Sequence, residues 1–156
     1  AEAVAIGAVV FHDLSTDPAR DVEFDLDRVV SFEGETGPYL QYAYVRCLSI
    51  LRRANQSVQF KSELINQLTH PAELALVKQL GLFGTHLDRT LHFSKASQLC
   101  NYLIDVTKDF GLFYRECHVM GENADLTAAR LMLVESTRRI LGLGMKTLGV
   151  PRPVRM

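Results

Sequence analysis

The chain has 156 residues, 47% of them apolar and 22% charged, and a net charge of −1. This is enough apolar material for one buried core with an extension, and it excludes an intrinsically disordered chain. No apolar run reaches the roughly 18 residues of a spanning helix, so no membrane crossing is expected.

The opening, "AEAVAIGAVVF", has neither an initiator Met nor a basic leader, so no secretory signal is expected, and the same start suits a piece cut from a longer protein. Its alanine and valine content reads as the end of a helix, with Gly7 counting against it. "DLSTDPARD" reads as a loop, and "VEFDLDRVVSF" alternates apolar and polar residues as an extended segment does. The first strong helix starts after "GETG", with Thr36 as its cap and Pro38 in the first turn, and runs to about Ala54. A second piece covers roughly 57–68 and stops before "THP". Pro71 then opens "PAELALVKQLGLF", which ends at Gly81 or Gly84, and "THLDRTLHF" makes another short helix.

Two long helices follow. "SKASQLCNYLIDVTKDFGLFYREC" places Leu99, Leu103, Val106, Phe110 and Phe113 at helical steps. "NADLTAARLMLVESTRRILGLGMKTLG" does the same with Leu126, Leu133, Ile140 and Met145, and Gly149 is its stop. The tail "VPRPVRM", with two prolines, is extended. The pattern predicts an all-α helical bundle of about five or six helices with a short helix-plus-extended lead-in.

Cys47, Cys100 and Cys117 are an odd number of cysteines without C-x-x-C spacing, each at an apolar helical position. They read as small buried thiols in a reducing cytoplasm rather than zinc ligands or disulfides. Charge is polarised: residues 1–36 carry two arginines against nine acids, a balance of −7, which leaves +6 for the rest. The last nineteen residues hold Arg138, Arg139, Lys146, Arg152 and Arg155 with no acid. Such asymmetry suggests a half that faces nucleic acid, although solvated basic faces are common.

The helix from Pro38 carries two stripes. Leu40, Ala43, Tyr44, Cys47, Leu48 and Leu51 share one side, and Tyr39, Tyr42, Arg46 and Arg53 fall about 150° away on the helical wheel. Flat aromatic rings beside guanidinium groups suit unstacked bases, which stack on the ring while arginine takes a phosphate or base edge. Packing beneath another helix is the competing reading, and spacing alone leaves both open.

"FEGETGPYLQYAYVR" resembles the segment that opens the C-terminal anticodon-binding (DALR) domain of arginyl-tRNA synthetases, with Phe32, Gly34, Thr36, Pro38, Tyr39, Gln41, Tyr42 and Arg46 on the family's pattern. "ARLMLVESTRRILGLGMKTLGVPRPVRM" is similar to that family's last helix and its Arg-Met terminus. "AEAVAIGAVVFHDL" and "FDLDR" resemble the stretch that leaves the catalytic domain; residues 57–95 add little. The resemblance implies a division into 1–30, a remnant of that stretch lacking its packing partner and therefore poorly tied down or engaged in lattice or dimer contacts through "AVAIGAVVF", and 31–156, the anticodon-binding bundle. It implies tRNA-Arg as partner, the catalytic domain of the same chain as neighbour, a monomer and a cytoplasmic setting.

The HIGH-type and KMSKS-type sequences that bind ATP in class I synthetases are missing, so ATP with magnesium belongs to the parent enzyme and this chain alone is expected to be inactive. "HLDRTLHF" pairs His86 and His92 with an aspartate, without nucleophile or metal spacing, and both read as surface or satisfied side chains. Carried over onto matching positions, Tyr39, Tyr42, Arg46, Tyr114 and Met156 are the anticodon-binding residues, with no catalytic, cofactor or metal residues among them. "FGLFYR" reads equally as core, so Tyr114 has two readings. Gly34 and Pro38 set the loop and the helix entry. Arginine anticodons share a middle C, whose amine and acceptors can be read while the base stacks on tyrosine. The rival class is a helical interaction or regulatory module that never touches RNA; no constellation supports a small-molecule enzyme.

Overall fold

Local capping explains where most of the helices begin in the computed structural model, which describes residues 2–16 and 25–156. The helices are α1 (Glu2–Ser15), α2 (Leu26–Val29), α3 (Gly37–Ala54), α4 (Pro71–Gly81), α5 (Phe83–Phe93), α6 (Ala96–Glu116) and α7 (Ala124–Thr147). A 3-10 helix, Ser62–Gln67, lies between α3 and α4. Thr36 starts α3: its hydroxyl oxygen accepts from the Tyr39 amide at 3.2 Å, and the hydroxyl donates to the Ser31 carbonyl at 2.6 Å. Gly34, with φ of +85°, turns the loop into that cap. Glu73 closes a capping box on α4, where one carboxylate oxygen accepts from the Thr69 and His70 amides at 2.9 Å each.

The all-α reading holds, and no strand occurs among the described residues. Two details differ from the sequence expectations. The described part of "VEFDLDRVVSF" begins with one helical turn, because Asp25 accepts from the Asp27 and Arg28 amides at 3.0 and 3.3 Å. A capping carboxylate outweighs the alternating pattern there; residues 17–24, which hold the rest of the expected loop and extended segment, lie outside the described residues. The piece at 57–68 is helical only over Ser62–Gln67, in 3-10 form, and Lys61 supplies no side-chain cap to nucleate an α-helix. α4 ends at Gly81, one of the two stops expected, and Leu82 joins it to α5.

α6 is the central element: it packs against α1, α3, α4, α5 and α7. Leu99, Cys100, Tyr102, Leu103, Ile104, Val106, Thr107, Phe110 and Phe113 are buried along it, so it is apolar on most of its circumference. α7 lies close to α6 and α3, and a side chain at Gly144 or Gly142 would run into Leu103 or Tyr44. α5 differs from these: none of its side chains is buried, and it rests on α6 through half-buried groups such as His86, stacked on the Tyr102 ring at 4.5 Å. α4 is tied to α7 by Glu73, almost wholly buried, whose other oxygen accepts from Arg130 at 2.6 Å. All three cysteines are buried free thiols. Desolvation raises each of them, Cys100 to about 12, which leaves them as neutral packing groups at ordinary pH.

The opening segment is better held than expected. α1 packs on α3 and α6 with Gly7, Ala8 and Phe11 buried, and Phe11 belongs to the main core. A lead-in without its packing partner would leave these groups in water; here the bundle covers one face of α1. Ile6 and Val9, on the other face, remain about half exposed.

Candidate nucleic-acid interface

The two stripes of α3 separate as their spacing predicts. Leu40, Ala43, Tyr44, Cys47 and Ile50 are buried, and Leu48 and Leu51 are partly covered against the same core. Tyr42 is 40% exposed and Tyr114, on α6, is 37% exposed. Arg46 is half-buried, with its guanidinium carbon 4.6 Å from the Tyr42 ring centroid and 4.7 Å from that of Tyr114. It also donates to the Tyr42 hydroxyl. Arg46 therefore bridges the rings of two helices, an arrangement worth about 0.5–1 kcal/mol per exposed cation–π contact.

Packing behind this cluster fixes its shape. The buried Phe110 ring lies 6.3 Å from Tyr114, so that tyrosine leans on the core while staying partly open to solvent. Of the two sequence readings of Tyr114, the structure supports the surface one. Tyr39 is half-buried against the core, and its hydroxyl lies over Gly111, where an added Cβ would stand 3.9 Å from it. One turn earlier on α6, Lys108 bridges to Glu35 in the loop before α3 at 2.6 Å. Glu35 raises the pKa of Lys108 mainly through that hydrogen bond.

Among the described residues no carboxylate pairs with Arg46. Two arginines of α7, by contrast, are engaged. Arg138 makes two hydrogen bonds of 2.7 Å to Glu135, and Arg139 makes a third of the same length. Those contacts, Arg138 foremost, hold the Glu135 carboxyl below its ordinary pKa. Much of the basic character of the last helix is thus directed inward. His86 and His92 face Tyr102 and Phe93, and among the described residues no three His, Cys, Asp or Glu gather as metal ligands.

Met156 ends a tail that lies along α3 and is 45% exposed. Gly149, at φ +71°, stops α7, and the Val150 amide returns to the Met145 carbonyl at 2.9 Å. Gln41 then donates to the Pro151 carbonyl at 2.8 Å, and Arg52 to the Val154 carbonyl at 2.7 Å. Of the five site residues expected from sequence, the structure unites Tyr42, Arg46 and Tyr114. It sets Tyr39 beside them over Gly111 and leaves Met156 apart, at the end of a braced tail. Sequence reasoning missed the bracing by Gln41 and Arg52; an amide on the apolar side of α3 was the available signal for the first.

Residues 40–156 match the DALR anticodon binding domain family. An arginine–tRNA ligase of Frankia casuarinae is 43% identical over 156 residues, covering all of this chain and 26% of that protein. One from Chloroflexus aurantiacus is 39% identical over 158 residues, covering all of this chain and 28% of its own. Among solved structures, Thermus thermophilus arginyl-tRNA synthetase superimposes with a TM-score of 0.89 at 32% identity, over 98% of this chain and 26% of the synthetase. The Plasmodium falciparum enzyme does so with 0.88 at 28% identity, over 99% and 27%. The chain therefore spans about a quarter of the length of these relatives.

Proposed function

Since the chain belongs to the DALR anticodon binding domain family, we propose that it reads the anticodon loop of tRNA-Arg as the C-terminal part of an arginine–tRNA ligase. The parent protein, on this reading, is a cytoplasmic monomer that joins arginine to tRNA-Arg with ATP and magnesium in a catalytic domain of the same chain. Residues 1–30 leave that domain, and residues 31–156 form the anticodon-binding unit. By itself this chain recognises and does not aminoacylate. No described helix is long and apolar enough to cross a membrane.

The observation that carries the reading is Arg46, held between the exposed Tyr42 and Tyr114 rings with no described carboxylate to neutralise it. A base leaving its stack gains about 1–3 kcal/mol on such a ring. The guanidinium keeps donors for a phosphate or a base edge. Tyr39 extends the aromatic surface. Met156 offers a thioether that can pack on the base or on a tyrosine ring.

The test is a titration with tRNA-Arg anticodon stem-loops at two salt concentrations. Expected are weaker binding at higher salt and a preference for C over U at the middle position. Deleting Met156 should erode that preference. Equal affinity for an unrelated loop, insensitive to salt, would instead favour a module that docks on protein.

A further inference from the structure

Gln41 is wholly buried, at 0% exposure, on the side of α3 that faces both chain ends. Its amide nitrogen donates to the Ala3 carbonyl at 3.0 Å and to the Pro151 carbonyl at 2.8 Å. These partners lie 38 and 110 residues away along the chain. Both are acceptors, which settles the orientation of the amide: the nitrogen must face them. The oxygen, turned the other way, has no hydrogen-bond partner among the described residues. A leucine or methionine would fill the same volume without leaving a buried acceptor, so packing does not account for the amide.

The surroundings are shaped to admit this side chain. The three nearest atoms that a Cβ on Gly7 would meet all belong to the Gln41 amide. A Cβ on Gly37 would run into the Gly7 carbonyl and Phe11. Two glycines thus bring α1 and α3 close enough for Gln41 to reach the first turn of α1 while holding the tail. Beyond Pro151 the tail is held once more, by Arg52 on the Val154 carbonyl, and two prolines limit its freedom.

We propose that Gln41 is a positioning residue: its two-donor grip seats the tail against α1 and thereby sets the course of the chain from Pro151 to Met156 along α3. Two donors on one planar group fix the separation of the carbonyls they hold, so the seat of α1 and the course of the tail are set together. The part of this inference that concerns RNA rests on the proposed role of Met156; the part that concerns the tail does not.

NMR of the protein separates the two. In the unaltered chain the Gln41 side-chain amide protons should exchange far more slowly than those of the exposed Gln56 and Gln59. Gln41→Met removes both donors at similar volume, and Gly7→Ala displaces the amide while leaving it chemically intact. Both variants should lower the backbone order parameters of Val154, Arg155 and Met156 from about 0.85 towards 0.6 or less, with the core helices unchanged. Fast exchange of the Gln41 amide in the unaltered protein would overturn the proposal, as would a tail equally ordered in either folded variant. Should one variant fail to fold, the amide exchange and the other variant still decide. Stem-loops differing only at the middle base then test the consequence, with the C/U preference falling in both variants. A lack of C/U preference in the unaltered protein would count against Met156 as a reader, leaving the tail measurements to judge Gln41.

Discussion

Arg138 and Arg139 on α7 direct their charge onto Glu135, with three hydrogen bonds of 2.7 Å, whereas Arg46 on α3 meets two tyrosine rings and no described carboxylate. In sequence the α7 region is the more basic: two adjacent arginines begin an acid-free run of nineteen residues. In the fold its paired charges act on the bundle itself, and Arg139 also lies 4.9 Å over the Phe60 ring. Arg46, in the α3 cluster, has no such carboxylate, and the later cations of the α7 run, Lys146, Arg152 and Arg155, are exposed. Density of positive residues is thus a poor guide to where a phosphate would settle; the neighbours of each charge decide it.

If this contrast is right, damage on the α4–α7 side should appear as lost stability. The largest effect is expected at Glu73, almost wholly buried and serving two amides and Arg130. Glu73→Ala leaves a partly buried arginine and two helix-start amides without their partner, and about 3–5 kcal/mol should be lost in urea unfolding. A loss within about 0.5 kcal/mol, typical of surface sites, would remove the ion pair from the account of the fold.

Glu135→Ala should lower stability by about 1–3 kcal/mol, because Arg138 is left only partly solvated without its bidentate partner. RNA affinity should stay the same or rise, since Arg139 is released. A fall in affinity matching that of Arg46→Ala would break the comparison by placing α7 in the interface. For Arg46→Ala the signs reverse. Anticodon-loop binding should weaken by about 1–3 kcal/mol and the salt slope should flatten by about one unit, while stability moves by no more than about 1 kcal/mol. A large fall in melting temperature with unchanged binding would make Arg46 structural.

The smallest expected effect is on pH dependence. Glu135 has a lowered pKa in the folded protein, chiefly from the Arg138 hydrogen bond. Its stabilisation is therefore fully present above the ordinary carboxylate value and is lost as pH falls through the lowered one. Urea midpoints measured from near-neutral into acid conditions should fall more steeply for the unaltered protein than for Glu135→Gln. Parallel curves would mean that the carboxyl titrates alike in the folded and unfolded chain.

The parts of the fold that local chemistry dictates were legible in the sequence. Thr36 and Pro38 announced the start of α3, Gly149 the end of α7, and the apolar spacing of α6 its buried faces. Within the candidate site, the separation of Tyr42 and Arg46 from the core stripe followed from their angle on the helix. What stayed hidden depends on contacts between distant segments. Glu135 lies three and four residues before the arginines it occupies, close enough to have been noticed, but burial makes the pairing count and no spacing reveals burial. Gly7 argued against a helix on intrinsic propensity; the close approach of α3 supplies the reason for a glycine there. The one-turn helix at Leu26–Val29 was missed because a capping aspartate outweighed an alternating pattern.

α5 carries no buried side chain, and it lies between the joint at Leu82 and Ser94, which takes a left-handed conformation at φ +51°. Local opening there uncovers chiefly Phe83, His86 and the Tyr102 ring beneath them, a smaller surface than the core lost by disturbing α6, so it requires less free energy. Arg89 and Lys95 are exposed on and just after this element. Trypsin would therefore find its substrate here ahead of the core, and a chain nicked at α5 would stay together, because α6 still binds α1, α3, α4 and α7 on its other faces. The cluster of Tyr42, Arg46 and Tyr114 stands on α3 and α6, so the nicked molecule would keep it.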